Sequence, residues 1–145
     1  MSQTNSAENT GHHLKAVMPE QLPTEPARRT VYSYGVRAGD SLHISGMVAF
    51  DAEARIVGEG DVAAQAEQVF RNLRAVVEEA GGGMADIVST TTYLTDVTDA
   101  PVVNEARARH FTGAVLPTHT VVGVAALARP QFLVEVSAVA YLGGR

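Results

Sequence analysis

Leu116-Pro117-Thr118-His119-Thr120 opens an apolar run to Leu127. Ala128-Arg129-Pro130 turns the chain, and a second apolar run follows from Gln131 to Leu142. The reading of this closing stretch decides the fold. Val, Ala, Leu and Phe crowd both runs, the pattern of strands covered on both faces, and the proline turn between them predicts a hairpin. Two side chains break the pattern. Glu135 sits in the middle of the second run, and His119 follows a proline at the start of the first. A carboxylate and an imidazole carried towards a buried surface mark this hairpin as the expected place of the chemistry.

Composition bounds the rest. A chain of 145 residues is one domain by length and buries roughly 70% of its unfolded surface without covalent help. The absence of cysteine excludes disulfides, thiolate metal sites and cysteine nucleophiles. The formal charge is −5, Lys15 is the single lysine, and the arginines are scattered. Nucleic-acid binding therefore lacks its electrostatic footing. There is no apolar signal segment, and no apolar run approaches the ~20 residues of a membrane span. The expectation is a soluble cytoplasmic protein with no membrane partner.

Upstream, Met1 to His13 is polar and aperiodic, which predicts a disordered tail, and His12-His13 is too short for a metal site. Leu14 to Met18 reads as a short strand, and Pro19 to Arg29, with three prolines, as an extended connector. Val31 to Arg37 and Leu42 to Phe50 read as a hairpin about Ala38-Gly39-Asp40-Ser41, with Tyr32 and Tyr34 on one face. Gly46 breaks the second strand, as at a bulge or where a ligand meets the backbone.

Asp61 is an N-cap for a helix from Val62 to Ala80. Its stripe is Val62, Ala66, Val69, Phe70, Leu73, Val76, Val77 and Ala80, with Gln65 largely outside. Gly81-Gly82-Gly83 ends the helix, and since phosphate loops precede helices it is no phosphate loop. Ile87 to Leu94 reads as a strand. Asp99 and Pro101 start a second helix to about Gly113, on which His110 is most simply a half-buried helix residue. The class is α+β, with two helices on one face of a single mixed sheet of about six strands. Two helices cannot cover both faces, so subunit association is expected.

From Leu14 to Tyr141 these segments resemble the Rid/YjgF family of small trimeric enamine/imine deaminases. The resemblance rests on Tyr32-Ser33, Val36-Arg37-Ala38-Gly39-Asp40, Ile44-Ser45-Gly46 and Val62-Ala63-Ala64-Gln65 with Asn72-Leu73 beyond it. It continues through Ala80-Gly81, Asp86-Ile87-Val88, Asn104, Pro117 and Val134-Glu135-Val136. It makes residues 14–145 one family-like domain with a chorismate-mutase-like fold. The homotrimer it implies has a central barrel and clefts at the subunit interfaces. The implied chemistry is hydrolysis of a small reactive enamine or imine to a carbonyl compound and ammonia, with no metal or organic cofactor.

Carried onto this sequence, the resemblance makes Glu135 the group that handles water or protons. Tyr32, Ser45, Gly46, Asn104 and Thr118 become substrate-binding positions. The departure is His119, which stands where the archetypal deaminases have an arginine gripping the substrate carboxylate. An arginine offers a planar fork and a permanent charge, whereas histidine offers one donor and is mostly neutral at pH 7. Val121 likewise replaces a frequent cysteine. His119 is then a general acid or base, or a partner for a neutral group, and Arg107, one turn from Asn104, is a replacement cation. Two alternatives stay open: another reaction on an imine-like electrophile in the same cleft, and a non-catalytic trimeric binder. Plain structural roles compete throughout, a strand-edge carboxylate for Glu135, a strand-start histidine for His119 and packing tyrosines for Tyr32 and Tyr34.

Overall fold

The computed structural model describes residues 13–144, so all of the expected tail except His13 lies outside the described residues. Six strands form one sheet in the order β1-β2-β3-β6-β4-β5: β1 Leu14–Val17, β2 Gly35–Ala38, β3 Ser41–Met47, β4 Ile87–Leu94, β5 Thr118–Gly123 and β6 Val134–Tyr141. Three helices accompany it: α1 Thr24–Thr30, α2 Val62–Glu79 and α3 Ala100–His110. The class is the mixed α+β expected. None of the helices among the described residues is long and apolar enough to cross a membrane.

The closing stretch does not form a hairpin. β5 pairs in parallel with β4, and β6 lies antiparallel between β3 and β4. Parallel neighbours need a crossover that returns the chain to the same end, and α3 supplies it between β4 and β5. Two adjacent apolar runs declare two strands but not their partners. Nor is β5 covered on both faces, because all six of its residues are exposed in the single chain.

α2 forms where its pattern and cap agree. The Asp61 carboxylate accepts a hydrogen bond from the Ala64 amide at 3.1 Å, satisfying one of the helix's free N–H groups. Ala66, Val69, Phe70, Leu73, Val76 and Val77 are buried, and burial of each larger side chain stabilises by about 1.5–3 kcal/mol. Gln65 departs from expectation, being fully buried beside the stripe. Its amide nitrogen donates to the carbonyls of Gly58 (3.1 Å) and Gln131 (2.8 Å), and its oxygen accepts from the Leu133 amide (2.9 Å). Burial is tolerated because each of these amide atoms is paired with loop backbone, and the Gln131 carbonyl and Leu133 amide gain their partner from it.

The connector over Pro19 to Arg29 is also revised, since α1 occupies its second half. Pro26 falls in the first turn, where an N–H has no helical acceptor and proline is no obstacle. Val31 ends α1 in the left-handed region (φ 59°). The strand after it therefore starts at Gly35, and the two tyrosines precede it instead of sharing a strand face. Tyr34 is wholly buried and its hydroxyl donates to the Pro23 carbonyl, while Tyr32 is exposed.

Candidate functional site

Strand parity places Glu135 and His119 on opposite faces of the sheet. Along β6, Val134, Val136, Ala138 and Ala140 are buried, while Glu135, Ser137 and Val139 alternate with them on the other face. Glu135 registers with Tyr93 of β4, which registers with Val122 of β5. His119 registers with Thr90, which registers with Ala138 on the buried face. Directly paired residues share a face. The carboxylate and the imidazole of one chain therefore belong to two separate clefts.

The Glu135 cleft has a volume of about 740 Å³ and takes in Tyr32, Ser45 and Gly46. Gly46 lies where the β3–β6 register shifts between Ile44 and Met47, a bulge at the point where the sequence showed a broken strand. A Cβ at Gly46 would lie 2.6 Å from Glu135 Oε2 and 2.7 Å from Cδ, so the missing side chain is the space the carboxylate occupies. Burial raises the Glu135 pKa above the ordinary carboxylate value, disfavouring the charged form. Tyr32 stands edge-on to Tyr34 with ring centroids 5.6 Å apart. Burial chiefly raises its pKa too, with a smaller rise from the Glu135 charge. The Ser45 hydroxyl donates to the Ser33 carbonyl at 2.6 Å, tying the tyrosine segment to β3.

The second cleft, about 370 Å³, is lined by Asn104, Arg107, Ala108, Phe111, Pro117 and His119 among others. Arg107 Nη1 donates to Thr90 Oγ1 at 2.7 Å, and its guanidinium carbon lies 4.8 Å from the centroid of the Phe111 ring. Burial lowers the Arg107 pKa. The His119 pKa is lowered as well, first by burial and then by the Arg107 charge, so its imidazole is neutral at pH 7. A neutral imidazole beside a guanidinium can relay a proton or accept a hydrogen bond, but it cannot replace an ionic clamp. Thr118 belongs to neither cleft. It points to the face opposite His119, and its hydroxyl donates to the Val88 carbonyl at 3.2 Å.

His110, read as a half-buried helix residue, is fully packed: it stacks on Phe70 with centroids 5.5 Å apart and bonds Glu67 Oε1 through Nε2 at 2.9 Å. Among the described residues no cluster of three or more His, Asp or Glu is placed to hold a metal ion.

Residues missed by sequence reasoning also line the Glu135 cleft, notably Pro26 and Arg29 of α1 and Arg129 and Phe132 of the loop before β6. The available signal was Pro26 two and three residues before Arg28 and Arg29, which suits the first turn of a short helix as well as an extended connector.

The family model described as endoribonuclease L-PSP matches residues 22–142. A RutC family protein of Pyrococcus horikoshii is 34% identical over 126 residues, covering 86% of this chain and 98% of that protein. A RutC family protein of Synechocystis is 38% identical over 123 residues, covering 84% and 94%. Among solved structures, RidA from an Antarctic Psychrobacter superposes with a TM-score of 0.78 at 33% identity, covering 88% of this chain and 98% of that one. A YjgF/YER057c/UK114 family member from Mycobacterium tuberculosis gives 0.72 at 32% identity, covering 83% and 97%.

Proposed function

The chain belongs to the Rid/YjgF family, and from that premise we propose that it hydrolyses a reactive enamine or imine to a carbonyl compound and ammonia without a cofactor. The observation that carries this reading is Glu135, a half-buried carboxylate with a raised pKa, seated over Gly46 in a cleft beside Tyr32. A carboxylate tuned upward is suited to take a proton from water and return it to nitrogen near neutral pH.

An enamine first takes a proton at its β-carbon and becomes the iminium, the protonated form of the imine. Water oxygen then bonds to the iminium carbon as the C=N π pair moves onto nitrogen and Glu135 accepts the water proton, which gives the neutral carbinolamine. Glu135 passes its proton to that nitrogen, the C–N bond breaks with its electron pair leaving on ammonia, and loss of the hydroxyl proton forms the carbonyl. His119, neutral beside Arg107, serves the proton relay. The substrate accordingly differs from that of relatives with an arginine at this position.

We take the working unit to be a homotrimer in which the Glu135 cleft of one subunit meets the His119 pocket of the next. Two features support this: the half-sites lie on opposite sheet faces, and β5 is exposed along its length. The activity in the family model's description is set aside for this chain, because a formal charge of −5 with one lysine gives phosphate little attraction.

The test is ammonia release from freshly generated imines by wild type and Glu135→Gln, beside sedimentation of the wild type. Glu135→Gln is expected to be slower by at least about a hundredfold, in the range of lost general acid–base catalysis. Equal rates remove Glu135 from the mechanism, and a stable, active lone protomer removes the shared cleft.

A further inference from the structure

In the single chain the Glu135 cleft, about 740 Å³, falls within the volumes of about 300–1,000 Å³ that suit drug-sized ligands. Two arginines from unrelated segments line it. Arg29 lies in the last turn of α1. Arg129 sits in a turn closed by the Phe132 amide donating to the Arg129 carbonyl at 3.1 Å, and its guanidinium carbon lies 5.9 Å from the centroid of the Phe132 ring.

Among the described residues neither arginine has an ion-pair partner. Glu25, the only acidic residue lining the cleft besides Glu135, pairs with Arg28 at 4.0 Å. A structural reading of Arg29 as a helix-end cation is weak, because α1 has seven residues and Arg28 already fills that role. The Glu135 carboxyl of the same cleft is shifted upward by burial, with no arginine charge drawing it back. Val48, Phe50 and Phe132 supply the apolar wall of the same cleft.

We propose that Arg29 and Arg129 form a distal anion clamp, so that the substrate is a bulky imine or enamine whose acid group is separated from the C=N carbon by a ring-sized apolar spacer. The clamp rests on the hydrolase reading only for the fate of the C=N bond. As a binding property it is testable without turnover.

The probes are 4-formylbenzoate and benzaldehyde, product-like aldehydes that differ only in the remote carboxylate, titrated calorimetrically into the intact protein at low ionic strength. The clamp predicts that 4-formylbenzoate binds at least about tenfold more tightly, the effect of one charge-assisted contact. In Arg29→Gln/Arg129→Gln that ratio falls towards one, and in the double lysine variant part of it remains. A wild-type ratio near one, or an unchanged ratio in the double glutamine variant, overturns the clamp. Ammonia release from the imine of 4-formylbenzoate is measured in parallel. Retained binding preference without ammonia above the spontaneous rate leaves the clamp standing and sinks the hydrolase reading, whereas turnover without binding preference does the reverse.

Discussion

Glu135 lies over Gly46 so closely that a single added carbon at Gly46 would come within 2.6 Å of the carboxylate oxygen. Gly46→Ala is therefore expected to leave the fold intact and displace the proposed base. A shift of about 1 Å in a catalytic group lowers rate on the order of a hundredfold. The check is a double-mutant cycle with Glu135→Ala, in which most of the thermal destabilisation from the alanine disappears once the carboxylate is gone. Additive effects would show that Gly46 serves only the bulge.

The raised Glu135 pKa has a definite sign in both rate and stability. As a base it must be ionised, so the acid limb of kcat/KM is expected above the ordinary carboxylate range, and it should vanish in Glu135→Gln. For stability, the folded state holds this proton more tightly than the unfolded state. The stability it contributes falls as pH rises from the unfolded to the folded pKa. Glu135→Gln is thus expected to melt higher than wild type near pH 7–8, with the difference shrinking as pH drops through the carboxylate range. A variant less stable than wild type at neutral pH would contradict the buried-charge reading.

Gln65→Leu tests whether the loop before β6 is held by one amide. The substitution keeps the volume but leaves the Gln131 carbonyl and the Leu133 amide without their partner, while the Gly58 carbonyl retains the Asp61 amide at 2.9 Å. Buried groups left unpaired cost about 1–3 kcal/mol each, so a total loss of about 2 kcal/mol or more from these two is expected in urea unfolding. A change below about 0.5 kcal/mol, typical of surface positions, would mean that water replaces the amide at this site.

His119→Arg restores a guanidinium fork next to Arg107, which already occupies one donor on Thr90. A small substrate with its carboxylate beside the imine carbon could then bridge two cations. Turnover of 2-aminoacrylate is expected to rise by about tenfold or more, the value of one good charge-assisted contact. No rise would show that the specificity of this cleft does not turn on position 119.

The helix α2, the strand β4 and the α+β class were legible because each is encoded locally, by an N-cap, a 3.6-residue stripe or a β-branched run. Glu135 and His119 stood out as the side chains that break the closing apolar runs, the family resemblance gave them roles, and the Gly46 bulge was readable from the residue itself. Strand partnership was not legible, because the composition of β5 and β6 carries nothing about which neighbour each will hydrogen-bond. Gln65 was misjudged because a polar residue beside an apolar stripe reads as surface until its loop partners are known. Arg29 and Arg129 escaped notice because they line one cleft only after the chain has brought α1 and the loop before β6 together.

Because Thr118 and His119 are neighbours on a strand, they face opposite ways, and the loop that feeds β5 determines which of them enters the Arg107 pocket. Deleting or inserting one residue between Phe111 and Pro117 and slipping the strand to match would put threonine in place of imidazole there without altering either codon. Indels in that short linker are accordingly a route by which relatives could trade one chemistry for another, and aligning such sequences by letter alone would hide the trade.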